Sequence, residues 1–213
     1  MSAGAGAALA SVPALAAGVR QGLDAPRKSG EWRLATFMGR FGEISGAHAC
    51  SPLTLAFRLV HEAQRSKEPV AWVGRRESMF YPPDAAGTGV DLEALAVVRV
   101  PEMQAAARAA DRLVRSGAFG LLVLDLGPGA WMPIPFQTRL MGLARKHHTA
   151  LVCLTEKDDR RPSLGSLVSL RIEARRTEKV GDRYRCEARV LKDKRGRPDW
   201  NYAEVCRGPD GLC

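Results

Sequence analysis

The chain has 213 residues, 46% of them apolar and 26% charged, which is the balance of a globular domain large enough to bury a core and not that of a disordered chain. Its formal charge of +9 favours an acidic partner, either nucleic acid or a carboxylate-rich protein surface. Five cysteines, Cys50, Cys153, Cys186, Cys206 and Cys213, form an odd set without a Cys-x-x-Cys pair, which argues against a disulfide framework or a zinc knuckle and for a reduced, cytoplasmic setting.

The first 18 residues are rich in Ala and Gly, but the first basic residue is Arg20, so the basic lead-in of a secretory signal is missing. Pro13 and several glycines interrupt the apolar run, so no membrane-spanning helix is expected. Val12, Leu15, Val19 and Leu23 recur at helical spacing and predict a short helix with one sticky face. Residues 1–30 read as a flexible N-terminal segment carrying this helix, ahead of one core domain over residues 31–213. The helix has two readings: packed on its own domain, or docked on another protein.

A strand is predicted over 41–45 and a helix over 52–65, joined by a loop of small residues. Ser51 suits the N-cap and Pro52 the first helical position. Strand, small-residue loop and amphipathic helix are the layout of a phosphate-binding loop, whose pattern is G-x-x-x-x-G-K-[ST]. Backbone N–H groups cradle the phosphates, the Lys reaches their oxygens and the hydroxyl holds Mg²⁺. Counting from Gly46, the second Gly is Ser51, the Lys is Pro52 and the Ser/Thr is Leu53, with Thr54 next. Pro52 offers neither an ammonium nor a backbone N–H, and Leu53 cannot ligate a cation. No cofactor and no catalysis are expected here.

Further strands are expected over 70–73, 95–100, 121–125 and 150–154, with helices over 102–116 and 135–146 and a loosely structured crossover over 78–94. Asp125 closes an otherwise apolar strand. Strands apolar on both faces that alternate with helices predict an α/β fold, a mainly parallel sheet covered on both sides. Beyond residue 167 the period changes to two. Val168, Leu170, Ile172 and Ala174 alternate with Ser169, Arg171, Glu173 and Arg175, and Tyr184, Cys186, Ala188 and Val190 alternate with Arg183, Arg185, Glu187 and Arg189. This predicts an antiparallel hairpin with one wet face, followed by a last strand over 200–206.

Residues 171–197 hold 11 basic and 5 acidic residues, a net of +6. One reading is an edge face kept soluble by charge. The other is a docking surface for phosphate or protein through Arg183, Arg185, Lys192, Lys194 and Arg195. With Tyr184 and Trp200 alone as stacking platforms, the surface suits weak, salt-sensitive DNA binding and not sequence readout. His48 and the His147-His148 pair do not converge as metal ligands.

Several of these stretches carry a family likeness. Met38-Gly39-Arg40-x-x-Glu43-Ile44-x-Gly46 resembles the lead-in to the phosphate loop of bacterial RecA recombinases. Residues 110–118, followed by the strand ending in Asp125, resemble RecA's helix and Walker B strand, and Gly89-Val90-Asp91-Leu92 and Lys192-Asp193-Lys194 fall at matching places in matching order. The likeness covers about residues 36–210. It implies a RecA-like core in which Pro52 and Leu53 stand at the Lys and Thr positions, Glu77 at that of the water-activating Glu, and Asp125 at that of the Walker B acid. Lys192 and Lys194 match lysines that reach a neighbour's ATP across a subunit boundary. The two DNA-engaging loops correspond to the compact stretches 126–135 and 157–166. A RecA-like core with a degenerate loop is similar to ImuA-type proteins of damage-induced mutagenesis cassettes. That likeness implies a non-catalytic accessory role in the SOS response and translesion synthesis, with RecA recombinase and an ImuB-like polymerase subunit as partners. Pro52 together with Lys192 and Lys194 suggests one-sided capping of RecA filaments, the other reading being two surface lysines in a turn. The rival expectation is a slow or atypical DNA-binding ATPase, and a third is a self-assembling scaffold.

Overall fold

The computed structural model describes residues 28–47, 50–76, 78, 80–180, 183–196 and 200–207. The expected helix with Val12, Leu15 and Val19 lies outside them, as do Glu77 and His48. Nine strands form one sheet: β1 (Lys28–Ser29), β2 (Phe41–Gly46), β3 (Val70–Arg75), β4 (Leu95–Val100), β5 (Leu121–Pro128), β6 (Ala150–Glu156), β7 (Leu170–Val180), β8 (Arg183–Asp193) and β9 (Trp200–Arg207). Among the described residues four α-helices accompany it, α1 (Cys50–Arg65), α2 (Pro82–Gly87), α3 (Met103–Ser116) and α4 (Ile134–His147), with a short 3-10 turn at Leu34–Thr36.

The strand order is β1-β9-β8-β7-β2-β6-β5-β3-β4. The ladders from β4 to β7 are parallel, and β7–β8 and β8–β9 are antiparallel. The fold is therefore α/β, with a mainly parallel sheet flanked by helices and extended by a C-terminal antiparallel hairpin, as the hydrophobic periods predict. Lys28–Ser29, on the flexible side of the expected boundary at residue 30, pair in parallel with Trp200 and Asn201.

Each face of the sheet has its own core. On one, α1 presents Leu55, Phe57, Leu59 and Val60 to Ile44, Trp72, Val123 and Val152, and Phe57, Trp72 and Phe80 cluster with ring centroids 5.0 to 5.9 Å apart. On the other, Ala106, Ala110 and Val114 of α3 and Leu140 and Ala144 of α4 cover Phe41, Val73, Leu122 and Leu151. The small alanines let α3 lie close to the strands, and Gly117 ends it in a left-handed conformation with φ of 70°.

Two expectations are corrected. Strand β4 is not buried on both faces: it is the sheet's outer strand, and Val97 is 40% exposed. The base of the hairpin is not wet on one face, because Arg171 and Glu173 are both buried. The loop after β6 folds over them, and Arg171 donates to the carbonyls of Arg161 and Asp158 at 2.5 and 2.9 Å. The hairpin is tied to the core by Arg40, whose guanidinium pairs with Asp193 and donates to the Ser169 carbonyl at 2.8 Å.

Candidate functional site

Parallel α/β sheets present ligands at the carboxyl ends of their strands. Here β2 turns into α1 at that end. A Cβ on Gly46 would stand 2.9 Å from both Pro52 Cδ and the Ala174 carbonyl oxygen, so the Pro52 ring packs directly on the Gly46 backbone. Pro52, Ser51 and Leu53 are buried, and Leu53 joins the α1-side core. Thr54, half-buried, follows in the same turn. Because α1 begins at Cys50, Ser51 and Pro52 lie inside its first turn and are not the N-cap and first helical residue that the pattern predicts. A first-turn N–H has no acceptor within its own helix, so Pro52 costs no hydrogen bond at this position either.

A cavity of about 30 Å³ remains at this strand end, bounded by Pro52, Leu53, Arg75, Ser78, Asp125 and Thr155 among others. That is room for a water or so, whereas a ligand pocket has on the order of 300 Å³ or more. Asp125 is 6% exposed. Burial raises its pKa above the ordinary carboxylate range, against the opposing pull of Ser78, Trp72, Arg99 and Arg75. Neither Asp125 Oδ2 nor Trp72 Nε1 has a partner in hydrogen-bond geometry. Arg99 donates to Ser78 Oγ at 2.6 Å, and Arg75 Nη2 would lie 3.5 Å from a Cβ on Gly127. Thus Asp125 lies at the strand end near arginines that the pattern does not single out. Their signal in the sequence is a basic residue at or next to the end of each of two apolar strands.

Beside the cavity lies a second constellation that the pattern misses. Glu43, fully buried in the middle of β2, pairs with Lys157 Nζ at 2.6 Å and accepts from Thr155 Oγ1 and the Leu164 N–H, both at 2.8 Å. Farther along, Glu173 meets Arg189 and Arg175, both at 2.9 Å, and Asp159 joins the same two arginines. These ion pairs seat the loop after β6 on the hairpin. An acid inside an apolar strand was the available signal, since such a charge demands a partner.

The remaining predicted residues do not converge. Lys192 and Lys194 both donate to the Ser166 carbonyl, at 3.4 and 2.6 Å, and desolvation with the charge of Lys194 lowers the Lys192 pKa. Arg195 donates to the Met38 and Gly39 carbonyls at 3.2 and 2.7 Å. Arg185 pairs with Glu187 at 3.0 Å, and Arg183 is exposed. His147 ends α4 and His148 caps it in a left-handed conformation. Among the described residues no group of three His, Cys, Asp or Glu could hold a metal ion, and no helix is long and apolar enough to cross a membrane.

No protein-family profile matches the chain. It is 37% identical over 87 residues to Protein RecA of Fusobacterium nucleatum, covering 41% of this chain and 23% of that protein. The figures for Protein RecA of Rhodospirillum rubrum are 36% over 125 residues, 54% and 34%. For Protein RecA of Streptomyces rimosus they are 29% over 199 residues, 75% and 52%. The chain thus spans between about a quarter and a half of these curated relatives. Partial similarity to RecA, together with a mostly parallel sheet ending in an antiparallel hairpin, supports a RecA-like core.

Proposed function

We propose that this is a non-catalytic RecA-like accessory protein, cytoplasmic, acting in DNA damage-induced mutagenesis of the ImuA type. It binds RecA and an ImuB-like polymerase subunit, in the SOS response and translesion synthesis, and contacts DNA weakly if at all. The observation that carries the reading is the packing of Pro52 onto Gly46 with Leu53 beside it. On this reading Pro52 stands in place of the motif's lysine and Leu53 in place of its hydroxyl, and the cavity beside them is of water size. Function then falls to surfaces, and the charge of +9 favours acidic ones.

Filament capping follows from the same asymmetry. A protomer with Lys192 and Lys194 but no competent loop fits one end of a RecA filament. The test is co-purification with RecA at two salt concentrations, with RecA ATPase and filament length as readouts. The proposal expects RecA capture and shorter filaments. Unchanged filaments and no capture overturn it. A Lys192→Ala, Lys194→Ala variant that still shortens filaments like the parent removes the capping mode alone.

A slow DNA-binding ATPase is the second reading, favoured by Asp125 at the cavity with Arg75 and Arg99 nearby. Saturable ATP·Mg²⁺ binding weakened by Asp125→Ala or Glu77→Gln selects it.

A further inference from the structure

Away from the cavity, the hairpin brings two cysteines together. In the β8–β9 register Tyr184 lies opposite Cys206 and Cys186 opposite Glu204, so the two thiols are diagonal neighbours on one face. Both are buried and free. Cys206 donates to Glu204 Oε1 at 3.3 Å. Across the β7–β8 ladder the direct partner of Cys186 is Arg176. The Arg176 Nε is buried without a hydrogen-bond partner, and its guanidinium sits 5.0 Å over the Tyr184 ring.

The two thiols are unlike. The Cys206 thiol and, against burial, Arg176 draw the Cys186 pKa down to about 7. The hydrogen bond to Cys186, burial and Glu204 push that of Cys206 up. A nucleophilic thiol beside a cation thus faces a protonated thiol beside a carboxylate that can take its proton. Cys186 and Cys206 are 1% and 6% exposed, so a reagent reaches them when the edge opens: strand β1 covers β9 only at Trp200 and Asn201, and among the described residues the half of β9 holding Cys206 has no strand on its outer side.

We propose that Cys186 and Cys206 form a peroxide-responsive dithiol, Cys186 as the attacking and Cys206 as the resolving residue. The Cys186 thiolate attacks one oxygen of hydrogen peroxide and the O–O bond breaks. Cys186 becomes a sulfenic acid, and the departing hydroxide takes up a proton as water. The Cys206 sulfur, its proton passing to Glu204, then attacks the sulfenic sulfur. The S–S bond forms, the S–O bond breaks, and hydroxide leaves with that proton as a second water. Two thiols and one peroxide give one disulfide and two waters. The bridge ties the edge strand to its neighbour and is undone by a dithiol reductant.

The experiment treats the full chain with hydrogen peroxide, blocks remaining thiols by alkylation under denaturing conditions, and maps the peptides by mass spectrometry. The expected result is a Cys186–Cys206 linked peptide that dithiothreitol releases, with Cys153 still alkylated. In Cys206→Ser the sulfenic acid on Cys186 should persist and be trapped by dimedone. Peroxide consumption at other cysteines while Cys186 and Cys206 remain alkylated overturns the proposal, as does a bridge from either to a different partner. The peptide map of the unaltered protein decides the matter even where the variant does not fold.

Discussion

Two neighbouring loops at the same end of the sheet are held by opposite means. The turn from β2 to α1 is packed by apolar atoms, Pro52 on Gly46 with Leu53 behind. The loop after β6 is held by charge, with Glu43, Lys157, Arg171, Glu173, Arg189 and Asp159 interlocked beneath it. In one the contacts are apolar, and in the other charged groups satisfy each other. An apolar seal costs little to maintain and responds to volume. An ionic seal is specific but costly to desolvate, and it responds to the loss of a single partner.

The largest effect that separates the two should come from Glu43→Ala. It leaves Lys157, 11% exposed in its side chain, without its counter-charge, and breaking a buried pair costs about 3–5 kcal/mol. Urea denaturation should show the midpoint falling by a corresponding amount, and a loss within the range of surface changes would mean the loop is not held by this pair. Next is Gly46→Ala on the apolar side. A methyl 2.9 Å from the Pro52 ring and the Ala174 carbonyl overpacks the turn, at about 1–3 kcal/mol. Adding Pro52→Ala should return part of that loss, and strict additivity in the double-mutant cycle would deny the contact.

Acid should discriminate as well. Burial raises Asp193, but Arg40 and the Arg195 and Gly196 amides outweigh it and leave the carboxyl below its ordinary pKa, and the hydrogen bond from Arg189 does the same to Asp159. The unfolded chain then binds more protons, so their stabilisation is present above an unfolded pKa of about 3.9 and is lost as pH falls below it. Asp125 runs the other way: raised by burial, its contribution fades as pH rises above that same value. In an Asp125→Asn background, where the opposing group is gone, unfolding curves from pH 6 to pH 3 should show a loss. The smallest effect belongs to Arg185→Ala, which removes an exposed pair with Glu187 and should change stability by about 0.5 kcal/mol or less.

How much of this could be read from the sequence depends on range. The β2–α1 unit and the hairpin were legible because their signals are local: Gly46 between an apolar strand and an amphipathic helix, and a period of two around Ala188, although the helix starts at Cys50, ahead of Pro52. Glu43 and Arg171 were not, because what buries them is a loop more than 100 residues from Glu43, and an alternating strand carries no record of a lid. Val97 reads as core because Leu95–Val98 is apolar throughout, yet which strand ends a sheet is set by topology and not by its own residues. Asp125 was singled out because it closes an apolar strand. Its arginine neighbours, Arg75 and Arg99, converge only when β3, β4 and β5 pair.

The central claim is that the phosphate loop has become structure. Titration calorimetry of the purified chain with ATP·Mg²⁺ tests it most directly. The account predicts no saturable binding at micromolar concentrations, and none created by Pro52→Lys with Leu53→Thr alone, because the filled turn and the water-sized cavity stay closed. Saturable micromolar binding by the unaltered protein, weakened by Asp125→Ala, would contradict it.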